Sequence, residues 1–288
     1  MKKYFSLFLA AIMLCTFCLA SCATEENSEE SVQESVPVPV TKTLRVGTYN
    51  IKHCADVSDS DGKAGTDADE TAVKVIADDI LALDLDIVGL QEVDQNVPRS
   101  GEIDTMGLLS EYTGYKYYYY MEAVVWPGTT DVTAGSGILS KYPIKNVEKI
   151  MIPDPETKSG KQHYETRCII KTTIDAGTDI TVMVSHFGLN LEERMNAVQT
   201  LVPALEREKC IFMGDLNTTP EEPVLEGIRA RMTDADDYLS GKLLSYPSDI
   251  PEIKIDYIFV SPDIKIKYAD IPAKVVSDHR PYIAKIEI

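Results

Sequence analysis

The sequence predicts an α/β domain built in layers, with mixed sheets. Short apolar runs that read as strands outnumber helices, and two amphipathic stretches of helical period separate some of them. From Thr43 onward the chain shows neither a second linker nor a short-period repeat. A single domain over 43–288 is therefore the economical reading.

The strand-like runs are Leu44–Tyr49, Ile87–Leu90, Tyr115–Tyr120, Gly137–Leu139, Arg167–Lys171, Ile180–Val184, Ile211–Met213, Tyr257–Val260 and Tyr282–Ile288. Between the first two, Ala72, Val73, Ile76, Ile80 and Leu83 recur at helical spacing with acidic residues opposite. A second helix over Leu191–Leu205 places Leu191, Met195, Val198, Leu201 and Leu205 on one stripe, and Pro203 should weaken its last turn. The Tyr117–Tyr120 run fits one strand with rings on both faces better than a base-stacking platform.

The N-terminus stands apart from this domain. Lys2 and Lys3 precede an uncharged, mostly apolar Tyr4–Ala20, a layout expected of a secretory signal over 1–21. Leu19-Ala20-Ser21-Cys22 resembles a bacterial lipobox, which implies cleavage before Cys22 and lipidation of its thiol. Residues 22–42 then form a Glu- and Ser-rich tether ending in Val36-Pro37-Val38-Pro39-Val40. Fully extended, its roughly 20 residues reach about 60–70 Å. The acidic run after Cys22 resembles surface-export signals of some Gram-negative lipoproteins. The expected location is extracytoplasmic, anchored to a bacterial membrane, with the outer membrane or cell surface favoured. Cys54, Cys168 and Cys210 remain in the domain, widely spread and flanked by apolar sequence, so buried free thiols are expected.

The formal net charge of −18 falls to −20 once Lys2 and Lys3 are lost. Such a chain repels nucleic acid at long range, which disfavours binding through a basic face. A nuclease stays open, because a metal ion can supply local positive charge. There is no HExxH, paired CxxC, P-loop or GxSxG, so zincin, zinc-ribbon, NTPase and α/β-hydrolase chemistries drop away. Asp59 and Asp61 do not make an EF-hand, since Val57 and Ala68 occupy its first and last ligand positions.

Chemistry gathers at the ends of the apolar runs. Asn50 ends the first, Gln91-Glu92 the second, Ser185-His186 and Gly214-Asp215-Leu216-Asn217 two later ones. Asp256 opens another, and Ser277-Asp278-His279 precedes the last. Carboxylates with Asn and His, and no Cys among them, suit a hard divalent cation. Mg²⁺ is expected, with Mn²⁺ as the alternative.

Seven motifs stand in one order: Thr48-Tyr49-Asn50-Ile51, Leu90-Gln91-Glu92-Val93-Asp94, Gly137-Ile138-Leu139-Ser140, Ser185-His186-Phe187, Gly214-Asp215-Leu216-Asn217, Ile255-Asp256-Tyr257-Ile258-Phe259 and Ser277-Asp278-His279-Arg280-Pro281. In that order they resemble the endonuclease/exonuclease/phosphatase superfamily across about 44–288. The resemblance implies a DNase I-like four-layer α/β sandwich, two mixed sheets face to face with helices outside. It implies Glu92 as principal metal ligand, with Asn50 beside it and Asp278 assisting. Asp215 would orient or deprotonate the attacking water, and Asn217 would hold a phosphoryl oxygen. His279 and His186 would face the phosphoryl group, Asp256 would fix the tautomer of His279, and Arg167 would support the site. Ser136 departs from the Asn of many relatives.

The implied reaction is Mg²⁺-assisted in-line hydrolysis of a phosphomonoester or phosphodiester. Ser185-His186-Phe187 lacks the Tyr of the abasic-site repair branch, and the pattern is similar to the branch of sphingomyelinases, phosphoinositide phosphatases and DNase I-like enzymes. A lipid head group or small molecule is the expected substrate, with nucleic acid second, as for an extracytoplasmic nuclease. A non-catalytic surface-binding lipoprotein is the third reading, which the complete residue set disfavours. A monomer is expected. Two further features are candidates for substrate contact: the Arg99–Asp104 loop, for which a surface salt bridge is an equal reading, and Trp126, beside Pro127-Gly128.

Overall fold

Strand side chains alternate between two faces, so a run apolar at every position needs cover on both sides. The computed structural model describes residues 41–55, 68–238 and 243–288. The expected signal segment, Cys22, the tether as far as Val40, and Asp59 and Asp61 lie outside the described residues.

In chain order the elements are β1 (Thr43–Asn50), α1 (Glu70–Leu83), β2 (Ile87–Gln95), α2 (Thr105–Thr113), β3 (Tyr117–Val125), β4 (Thr133–Ser140), β5 (Ile144–Met151) and β6 (Cys168–Asp175). They continue with β7 (Asp179–His186), α3 (Leu191–Ala204), β8 (Cys210–Asp215), α4 (Glu226–Arg229), β9 (Thr233–Asp234), β10 (Asp256–Val260), β11 (Lys265–Asp270) and β12 (Tyr282–Glu287). They form two six-stranded sheets, ordered β11-β12-β1-β2-β4-β3 and β5-β6-β7-β8-β10-β9. Each sheet holds one parallel pair, β1 with β2 and β7 with β8, among antiparallel neighbours.

The layering follows from the alternation. Leu44, Val46 and Ile87 of the first sheet meet Ile170, Val182, Val184, Ile211 and Met213 of the second in a shared core. The intervening residues face outward onto helices. Tyr49, Val88 and Leu90 pack with Val73, Ile76 and Ile80 of α1 and Met106 and Leu109 of α2. Met183, Phe212 and Phe259 pack with Ala197, Val198 and Leu201 of α3. The result is helix, sheet, sheet, helix: the four-layer sandwich.

Three details differ from the sequence reading. The helices α2 and α4 and the strands β5, β9 and β11 have no counterpart in it. The buried face of α3 runs through Glu193, Ala197, Val198 and Leu201, while Leu191 and Met195 are exposed. Glu193 is drawn inward by the Asn190 capping box, where it accepts from the Asn190 backbone at 3.1 Å. Asp104 is the α2 cap, accepting from Gly107 N at 2.9 Å. The tyrosine run does lie in a strand, β3, at the edge of its sheet.

Cys54, Cys168 and Cys210 are buried and unbridged. Burial raises all three thiols, Cys168 and Cys210 to about 11. Alkylation mapping at pH 8 should therefore leave these three positions unmodified in the native protein and modify all three in denaturant.

Candidate active site

Strand register assembles the site. His186 at the end of β7 stands beside Asp215 at the end of β8, and Asp215 pairs across with Asp256 at the start of β10. In the other sheet Asn50 ends β1 beside Gln91. The β2–β4 ladder breaks between Leu90 and Val93, leaving Glu92 on a bulge with φ of 55°. A bulge of this kind re-aims a side chain that regular pleating would send elsewhere.

The two groups meet at Asp215. Asn50 Nδ2 donates to Glu92 Oε1 and to Asp215 Oδ2, both at 3.0 Å. Asn50 Oδ1 accepts from Lys52 N at 3.0 Å. Asn217 N donates to Asp215 Oδ1 at 2.9 Å. His186 Nε2 and His279 Nε2 lie 3.4 and 3.6 Å from Asp215 Oδ2. His279 Nδ1 donates to Asp256 Oδ2 at 2.9 Å, which fixes the tautomer.

Burial decides the charges. It pushes the Asp215 carboxyl up to about 7, against the pull of His279. Burial alone would lower His279, but the Asp256 and Asp215 carboxylates raise it to about 10, so it is a cation at neutral pH. His186 is held well below the usual imidazole range by burial first, then by Arg167 and His279. It is neutral, and its Nε2 accepts from Asn217 Nδ2 at 3.1 Å.

Gly214 permits the register. A Cβ there would sit 1.9 Å from the Ser185 carbonyl oxygen. Gly214→Ala should cost about 2–4 kcal/mol in chemical denaturation and misplace His186 against Asp215. Wild-type stability in that variant would contradict this reading of the β7–β8 contact.

The site opens into a cleft of about 950 Å³ lined by Glu92, Arg167, His186, Asp215, Asn217, Asp278 and His279, among others. Asn50 and Asp256 sit behind this lining, fully buried. Arg167 stands on the wall, ion-paired to Glu165 at 2.8 Å and outside the Asp215 hydrogen-bond network. Several positioning groups escaped sequence reading. Ser277 Oγ donates to the Asn50 carbonyl at 2.8 Å, Arg194 holds the Asn217 carbonyl, and the Tyr246 ring packs 4.9 Å from that of His279. Their roles depend on long-range contacts that no local pattern announces. Arg99 and Trp126 line the same cleft. The Arg99 salt bridge does exist, to Asp94.

Residues 61–285 match the family described as PGAP2IP, C-terminal nuclease-like domain. The chain belongs to this family, within the endonuclease/exonuclease/phosphatase superfamily. No curated protein matches the sequence. Similar solved structures include an endonuclease/exonuclease/phosphatase family protein from Bacteroides thetaiotaomicron, at 18% identity and TM-score 0.67, covering 86% of this chain and 98% of that one. A mannosyl-6-phosphatase from Bacteroides thetaiotaomicron VPI-5482 is 19% identical with TM-score 0.65, covering 84% and 99%. TDP2 of D. rerio, complexed with a single-strand DNA product, is 16% identical with TM-score 0.59, covering 85% and 99%. At these identities the likeness is one of fold.

Two sets of groups could hold a cation. Ligand atoms of Asp215, Asp256 and His279 lie within 4.8 Å of one another. Those atoms are already engaged, however, with His279 bonded to Asp256 and Asp215 accepting from Asn50 and Asn217. Glu92 and Asp278 line the cleft with side chains about a third exposed; Lys52 stays 3.7 Å from Asp278, and His53, which burial lowers to about 4 and so leaves uncharged, lies 3.9 Å from Glu92. Both carboxylates are hard oxygen donors of the kind a divalent ion takes, and Asn50 bonds Glu92 through Nδ2 while its Oδ1 accepts from Lys52 N.

Proposed function

We propose that the domain is a metal-dependent phosphoesterase acting on a lipid head group or small-molecule phosphoester. What carries the reading is Asp215: a buried carboxyl held by Asn50 and Asn217, flanked by a cationic His279, on the wall of an open cleft. A carboxyl that burial brings to about 7 suits a general base near neutral pH.

Asp215 orients water and takes its proton as oxygen attacks phosphorus in line with the departing group. His279, kept charged and oriented by Asp256, donates from Nε2 to a phosphoryl oxygen, and the Asn217 amide serves a second by giving up one of its two bonds, to His186 Nε2 or to Phe187 O. Neutral His186 holds that amide, and Arg167 adds positive potential from the wall. Glu92, with Asn50 and Asp278, would hold Mg²⁺, which supplies positive charge opposite the oxygens that gain charge. The chain works outside the cytoplasm as a monomer, tethered through lipidated Cys22 by the segment over 22–42. The acidic net charge supports a substrate other than polymeric nucleic acid.

Phosphorus NMR with Mg²⁺ tests this on phospholipid and sphingomyelin micelles, sugar and inositol phosphates and DNA in parallel. Turnover of a lipid or small ester, lost in Asp215→Asn, supports the reading. Cleavage of DNA alone would replace it with a nuclease, and silence on every substrate would leave a binding protein.

A further inference from the structure

The cleft extends past the phosphoryl site. Trp126, half-buried on the β3–β4 connection, lines it, with the Arg99 guanidinium 5.7 Å from its ring centre. Both parts are pinned. Arg99 is fixed by two hydrogen bonds to the buried Asp94 carboxylate, at 2.7 and 2.9 Å. The Trp126 backbone bonds to Val132 O at 2.9 Å and accepts from Thr129 N at 3.1 Å. Tyr164, Glu165 and Arg167 line the same cleft.

We propose that Trp126, braced by Arg99, is the leaving-group subsite of this cleft, and that it takes an uncharged ring bearing hydroxyls, that is, a sugar. The assignment rests on the phosphoesterase reading above and narrows its substrate class.

Charge excludes the alternatives from both sides. Each guanidinium lining the cleft already faces its own carboxylate: Arg99 with Asp94, Arg167 with Glu165 at 2.8 Å, and Arg194 with Glu222 at 2.9 Å. No surplus cation there meets a second phosphate, and the chain as a whole is strongly acidic. A flanking nucleotide or bisphosphate therefore finds no partner. A quaternary ammonium head group would compete for the indole with the Arg99 guanidinium that already lies over it, 5.7 Å from the ring centre. An uncharged ring needs neither a surplus cation nor a surplus carboxylate.

The remaining features suit hydroxyls. The indole offers a flat apolar surface to a ring. Glu165 offers acceptor oxygens, and Arg167 Nε is buried without a hydrogen-bond partner in the protein. A site that hydrogen-bonds substrate hydroxyls discriminates sharply against analogues that lack them.

The test uses the fact that Trp126 is the sole tryptophan. Its fluorescence is followed as the neutral methyl glycosides of glucose and mannose are added. In parallel, phosphorus NMR compares hexose 6-phosphates, and their methyl diesters, with propyl phosphate, its methyl diester and phosphocholine. The expected result is a saturable fluorescence change, with kcat/KM for the sugar esters at least about 10²-fold above the propyl esters. Trp126→Ala should shrink that ratio by about 10- to 100-fold, and Trp126→Phe, which keeps a flat ring, should restore most of it. Equal turnover of sugar and propyl esters, preference for phosphocholine, or an unchanged ratio in Trp126→Ala would overturn the subsite and leave the phosphoesterase standing. If no ester turns over, the phosphoesterase reading fails. Fluorescence then decides the subsite alone, and an unchanged Trp126 signal at saturating glycoside overturns it.

Discussion

Asp215→Asn is expected to lower kcat by about 10³-fold, with KM and fold little changed. General-base removal costs about 10²–10⁴-fold, and burial makes this base hard to replace by solvent. The substitution keeps one oxygen acceptor, while Asn50 Nδ2 and Asn217 N bond different oxygens of Asp215, at 3.0 and 2.9 Å, so one of the two donors loses its partner. It also removes a carboxyl whose ionisation burial opposes. One unpaired buried donor costs about 1–3 kcal/mol, so thermal melting should fall only modestly while activity collapses. Equal losses of stability and activity would instead make Asp215 a structural residue.

His279→Ala carries the second large effect, and it strikes both properties. It removes the partner of Asp256, a fully buried carboxylate whose Oδ2 accepts from His279 Nδ1 and whose Oδ1 has no hydrogen-bond partner among the described residues. Breaking a buried pair in this way costs about 3–5 kcal/mol. For a domain of this size that corresponds to a fall in Tm of about 6–20 °C. Loss of a charged donor to the phosphoryl group costs a further 10²- to 10³-fold or so in kcat.

The pH dependence has a definite sign. His279 is raised in the folded state to about 10, by Asp256 and Asp215 against the effect of burial. An unfolded histidine titrates near 6.5. Its stabilisation is complete below about pH 6.5 and fades as pH rises towards 10. The difference in Tm between wild type and His279→Gln should therefore narrow steadily from pH 7 to 10. A gap that stays flat from pH 7 to 10 would mean the imidazole is buried neutral, since both states are then uncharged across that range.

Regular strands were easy to read because burial on both faces makes them apolar throughout, as in Ile211-Phe212-Met213. Of the missed strands, β9 has only two residues and the other two are irregular. β5 buries or half-buries Ile144, Val147 and Ile150, and β11 buries Ile266 and Ala269, a spacing of three in each case. Both contain a register shift, between Ile144 and Asn146 and between Ile266 and Tyr268. A bulge inserts one residue and erases the period of two by which a strand is recognised. Helix α2 is only nine residues long, with Met106 and Leu109 as its buried apolar positions, too little to stand out.

The site was legible for a different reason. Its residues sit where apolar strands end, so each polar group is visible against its run: Asn50 after Tyr49, Asp215 after Gly214. Convergence was not legible from those runs. It depends on register between strands far apart in sequence, and on Ser277 reaching the Asn50 carbonyl across 227 positions. Nor does sequence distinguish the two histidines. One gains a buried carboxylate and becomes a cation, while the other accepts from an amide and stays neutral.

The measurement that bears most directly on the central claim is turnover of a responsive phosphoester in oxygen-18 water with Mg²⁺, read by phosphorus NMR. Attack by an Asp215-activated water on phosphorus predicts one solvent oxygen in the phosphate product of the wild type. It predicts loss of that signal in Asp215→Asn and in Glu92→Gln. Solvent oxygen found instead in the alcohol, or undiminished turnover in either variant, would contradict the assignment of these residues to phosphoryl chemistry.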